Sequence, residues 1–83
     1  MIKVKRFTAS WCSPCRALAP LIEEIQRDNP NIEFETIDID ADFRQAEQYQ
    51  IRSIPVVLIE KDGVEKNRFV GIQPKEVYEQ SIK

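Results

Sequence analysis

The chain predicts an α/β domain with a four-stranded mixed sheet flanked by helices, in the order β-α-β-α-β-β-α. Three observations carry this prediction. Apolar residues switch between period two and helical spacing along the chain. Strand, helix, strand and helix alternate through the first half, which implies parallel pairing of the first two strands. Lys61-Asp62-Gly63 joins two β-like runs, and Asp-Gly in that setting signals a hairpin.

Residues 2–8 form the first strand, with Ile2, Val4 and Arg6 on one face and Lys3, Lys5 and Phe7 on the other, so one face is expected to be only partly covered. From about 14 to 28, Leu18, Leu21, Ile22 and Ile25 recur at helical spacing, while Glu23, Glu24, Gln26 and Arg27 turn outward. Pro14 suits the first turn of this helix. Pro20 lies inside it and lacks an amide donor, so a kink is expected between Arg16 and Pro20. Asp28-Asn29-Pro30-Asn31 ends the helix. Residues 32–39 make a strand with Ile32 and Phe34 on one side and Ile37 and Ile39 on the other, as burial on both faces requires. A short helix over about 41–50 would carry the apolar stripe Phe43, Ala46 and Tyr49. Residues 55–59 and 65–70 are the hairpin strands. A closing amphipathic helix over about 74–82 begins at Pro74 and turns Val77, Tyr78 and Ile82 inward.

At 83 residues, with no linker, repeat or low-complexity segment, the whole of 1–83 is expected to fold as one domain with a small core. Twelve basic and fourteen acidic residues give a net charge of −2 with no basic run, which offers no electrostatic case for nucleic acid or an anionic membrane. The N-terminus alternates charge and apolar residues rather than forming a signal-type block, so a soluble, cytoplasmic monomer is expected.

Both cysteines fall within Trp11-Cys12-Ser13-Pro14-Cys15, at the junction of a strand and a helix. There the unsatisfied N–H groups of the helix and its dipole favour an anion on the first sulfur, and the thiolate is the reactive form. One helical turn separates the pair, so the sulfurs can reach disulfide distance with little backbone movement. Two cysteines are too few for a disulfide scaffold, which makes redox chemistry in a reducing compartment the leading reading. Inert buried thiols and half of a metal site are the alternatives. With no histidine, zinc or an iron–sulfur cluster would require a second chain, so no metal is expected.

These residues resemble the thioredoxin family. Residues 11–15 resemble its active-site sequence Trp-Cys-Gly-Pro-Cys, with Ser13 in place of glycine, and Pro20 falls where the family kinks this helix. Ile51-Arg52-Ser53-Ile54-Pro55 resembles the segment ending in the family's cis-proline, and Val70-Gly71 its valine-glycine before the last helix. The likeness covers essentially the whole chain but lacks the leading strand and helix of a full-length thioredoxin, as in glutaredoxins and small archaeal thioredoxin-like proteins.

The resemblance implies a thioredoxin fold and a protein dithiol–disulfide oxidoreductase. Cys12, nearer the exposed helix end, would attack, and Cys15 would resolve the mixed disulfide. A cis Ile54–Pro55 bond facing the cysteines would leave the backbone N–H and C=O of Ile54 free for an extended substrate segment, and Gly71 would let its backbone come close. Trp11 either fills core space or forms an apolar rim for a protein substrate. No bound cofactor is implied; electrons would come from an NADPH-linked thioredoxin-reductase-like donor or from glutathione, and the partners would be disulfide-containing target proteins. A glutathione-recharged protein and a non-catalytic binding subunit are the competing functions. Against the first, proline precedes the second cysteine instead of following the first.

Two departures bear on the site. The family's buried aspartate, six residues before the first cysteine, is matched by Arg6, and its lysine partner on the next strand by Thr36. Arg6 would pair with a strand-two acid such as Asp38, place positive charge beneath the site in favour of the Cys12 thiolate, or lie solvated on an uncovered face. Ser13 could bond a sulfur or cap the helix, and the residues between the cysteines tune the dithiol–disulfide balance.

Overall fold

The computed structural model describes all 83 residues. Its elements are β1 (Ile2–Thr8), α1 (Ser13–Asp28), β2 (Glu33–Asp38), α2 (Phe43–Gln48), β3 (Val56–Lys61), β4 (Val64–Val70) and α3 (Lys75–Ser81). The sheet order is β2-β1-β3-β4, with β1 and β2 parallel and the other neighbours antiparallel. The parallel pair follows from the α1 crossover. At the hairpin, Asp62 and Gly63 both have positive φ, 54° and 83°, the backbone that a two-residue turn matching strand twist requires.

Leu18, Ile22 and Ile25 of α1 and Tyr78 and Ile82 beside them pack on Val4, Val57 and Ile59. On the opposite face Phe7, Ile37, Val56 and Leu58 pack with Tyr49, Ile51 and Ile54. Thus β1 is covered on both sides. Lys5, expected on a partly open face, is only 7% exposed beneath α2.

The second helix is shorter than the spacing predicts. Asp42 stops it on one side by accepting the Gln45 N–H at 3.2 Å, and Gln50 ends it on the other with φ 55°. Phe43 then sits in the first turn, 64% exposed, and only Ala46 and Tyr49 of the expected stripe face the sheet. Helix α1 continues through Pro20, which faces solvent. The Arg16 carbonyl left without an amide partner there can meet water.

Candidate active site

The turn from β1 into α1 brings the cysteines together. Cys12 is the N-cap of α1 and Cys15 lies in its first turn, preceded by Pro14 at a position where no amide donor is needed. The two form a disulfide with Cα atoms 5.2 Å apart. The Cys15 N–H donates to Cys12 Sγ at 3.2 Å. An amide so aimed stabilises negative charge on that sulfur, and the helix dipole acts in the same sense. Exposure is 5% for Cys12 and 1% for Cys15, and both pack with Ala9, Ile39 and Ile54.

A groove of about 480 Å³ runs past the disulfide. Trp11, Cys12, Ser13 and Pro14 line one wall and Ile39 with residues 51–54 the other, whereas Cys15 is outside the lining. Trp11 is 64% exposed, which excludes a core-filling role, and its Nε1–H donates to Asp40 Oδ2 at 2.8 Å. The Ile54–Pro55 peptide bond is cis. None of the backbone groups of 52–54 enters a backbone hydrogen bond. Gly71 N–H donates to the Pro55 carbonyl at 2.8 Å, so Gly71 lies beside the cis bond but outside the groove. Its φ of 81° favours glycine, and a Cβ there would meet open space.

Two expectations are corrected. Ser13 neither caps α1 nor bonds a sulfur: the cap is Cys12, and the Ser13 hydroxyl accepts from Arg16 Nη2 at 3.2 Å. Arg6 does not pair with Asp38. The parallel register sets Arg6 against Thr36 and leaves Asp38 opposite Thr8, where its carboxylate accepts the Asp40 N–H. Arg6 Nη2 donates to Thr36 Oγ1 at 3.0 Å, so the two positions that depart from the family meet each other. Arg6 is half-buried rather than solvated, and its Nε is buried without a partner. Burial lowers its pKa, partly opposed by Glu23.

Sequence reasoning missed Asp40, Ile39 and Arg16. The clue for Asp40 was an indole N–H in need of an acceptor; the other two depend on how the end of β2 and the first turn of α1 meet. No group of three or more metal-ligating side chains is assembled.

A model of the Thioredoxin family matches residues 2–83. The chain belongs to the thioredoxin family. It is 41% identical over 70 residues to a thioredoxin of Chlamydia trachomatis, covering 84% of this chain and 69% of that one. It is 37% identical over 76 residues to a thioredoxin of Staphylococcus epidermidis, covering 90% and 73%. The X-ray structure of Fasciola hepatica thioredoxin superposes with a TM-score of 0.91 at 33% identity, over 99% of this chain and 81% of that one. With the Cys12–Cys15 disulfide, this membership makes the chain a thiol–disulfide oxidoreductase of the protein-disulfide-reductase type. A binding subunit without turnover is disfavoured.

Proposed function

We propose that this protein reduces target proteins by attack of Cys12 and resolution by Cys15. The observation that carries the assignment is that Cys12, and not Cys15, opens onto the groove. The reduced pair presents a Cys12 thiolate, held by the Cys15 amide, to a target disulfide. A Cys12–target bond forms as one target sulfur leaves. Cys15, after losing its proton, attacks Cys12 Sγ, restores the intramolecular disulfide and frees the second target sulfur. Two electrons and, after protonation of the products, two protons pass from the dithiol to the target.

Trp11 and Ile54 form the apolar walls against which the target segment lies, and the unpaired backbone of Ile54 gives it a strand-like partner. Pro55 adds no amide donor beside the sulfurs, and Gly71 keeps the neighbouring surface low. Pro14 and Ser13 set the geometry of the first turn. Arg6 adds positive charge behind the site. The donor that recharges the disulfide is an NADPH-linked reductase, and the setting is a reducing compartment such as the cytoplasm. No helix is long and apolar enough to cross a membrane.

The test is disulfide reduction by the purified protein, supplied either with NADPH and a thioredoxin reductase or with glutathione and its reductase. Turnover is expected with the first system, with Cys12→Ser inactive and Cys15→Ser accumulating a mixed disulfide. Recharging by glutathione alone would reassign the donor, and trapping through Cys15 in the Cys12→Ser protein would reverse the two roles.

A further inference from the structure

The groove beside the disulfide is apolar, and its one charged lining residue is a cation. Arg52 is the single charged residue lining it, is exposed, and enters no ion pair. A second guanidinium stands at the rim: Arg16 donates to the Ser10 carbonyl at 2.7 Å and to the Ser13 hydroxyl at 3.2 Å, and Ser13 lines the groove. Both partners are neutral, so these bonds orient the positive charge without cancelling it.

No carboxylate lines the groove. Of the acids where β2 leads into α2, Asp40 stands at the rim just as Arg16 does, one hydrogen bond behind a lining residue, its Oδ2 accepting from Trp11 Nε1 at 2.8 Å, so these two rim charges oppose each other; Asp38 accepts the Asp40 N–H and Asp42 caps α2. This arrangement stands in a chain with more acidic than basic residues, fourteen against twelve. Net charge therefore does not explain it.

We propose that the groove selects target disulfides flanked by acidic side chains. The proposal rests on the reading of the groove as the site where targets bind. A segment lying along the unpaired backbone of 52–54 is extended, and an extended chain advances about 3.3 Å per residue with alternate side chains on one face. An Asp or Glu within about two residues of the attacked cysteine then comes within reach of Arg52, while the rim charges of Arg16 and Asp40 offset each other. A Lys or Arg in that place meets a like charge.

The experiment mixes the reduced protein with three peptides that share one disulfide and differ only in Glu, Gln or Lys flanking it. Oxidation of Cys12 and Cys15 is followed through Trp11, the chain's one tryptophan. Each rate is divided by that of the same peptide with dithiothreitol, which removes the peptide's own reactivity. The expected order is Glu, Gln, Lys, with roughly five-fold between the extremes at low ionic strength, shrinking as salt is added. Arg52→Glu is expected to invert the order and Arg52→Gln to flatten it. Equal normalised rates for the three peptides in the wild-type protein overturn the preference alone. So does an unchanged ratio in both Arg52 variants. No reaction with any peptide overturns the reductase reading and the preference with it.

Discussion

Lys5 and Arg6 are neighbours in β1 and, because strand side chains alternate, meet opposite faces of the sheet. Beneath α2, Lys5 Nζ donates to Gln45 Oε1 at 2.7 Å and to Tyr49 Oη at 2.8 Å, lies 4.4 Å from the Tyr49 ring centroid, and has Glu35 at 3.9 Å. Tyr49 Oη donates onward to Glu60 Oε2 at 3.0 Å, on β3, where Glu60 is itself buried. The ammonium thus ties β1, α2 and β3 together. On the other face Arg6, with five N–H donors, has one hydroxyl partner and an orphaned Nε. A buried cation is well supported when its donors are matched and costly when they are not. Lys5 is therefore a structural element, whereas Arg6 is not explained by stability.

The largest effect expected from breaking this contrast is at Lys5. Lys5→Met removes the buried cation of the network, strands the Tyr49–Glu60 pair and leaves Gln45 Oε1 unmatched, so urea unfolding should show a loss of about 3 kcal/mol. Lys5→Met/Glu60→Met, which removes both charges, should recover a large part of it. A loss below about 1 kcal/mol in the single variant would mean that water reaches the network and that the burial has little energetic weight.

Arg6→Met should shift stability by less than about 1 kcal/mol, in either direction, because the lost Thr36 bond is offset by removal of the unpartnered Nε. Its signature belongs in the chemistry. If Arg6 adds positive charge behind the disulfide, the midpoint of Cys12 alkylation against pH should rise by about 0.3 of a unit in Arg6→Met, the order expected for one charge acting through a largely aqueous dielectric. Superimposable alkylation curves would dismiss the electrostatic role and leave Arg6 a tolerated replacement.

The two residues also mark where the sequence can be read and where it cannot. Hydrophobic period, the α1 crossover and Asp62-Gly63 are local signals, and they anticipate the element order and mixed sheet because each acts within a few residues. The Cys12–Cys15 turn is local in the same way. Burial of Lys5 and Glu60 is not legible, since a charged side chain reads as exposed until three separate elements supply its partners. Phe43 fails for the converse reason: an apolar residue at stripe spacing reads as core, but the Asp42 cap places it in an exposed first turn. Arg6 is intermediate. The resemblance to the family identifies its position as unusual, while its pairing with Thr36 rather than Asp38 depends on a register that alternation alone leaves unspecified.

The smallest effect concerns the acid limb of stability and separates the two faces once more. Hydrogen bonding to Lys3 holds the Glu35 carboxyl below its ordinary 4.5, burial opposes this, and the charges of Lys3 and Lys5 add to the lowering. The folded protein therefore binds this proton less tightly than the unfolded chain. The resulting stabilisation is complete above about 4.5 and is lost as pH falls through the lower native value. Lys3 and Glu35 are both substantially solvated, so the whole contribution should stay under about 0.5 kcal/mol. Urea midpoints measured from neutral to acid pH should fall less steeply below 4.5 in Glu35→Gln than in wild type. In Arg6→Met the limb should stay close to its wild-type slope, because the hydrogen-bond partner Thr36 does not titrate and Glu23 acts on Arg6 only through space. An equal flattening in both variants would place the acid sensitivity in the sheet as a whole rather than on the Lys3–Glu35 edge.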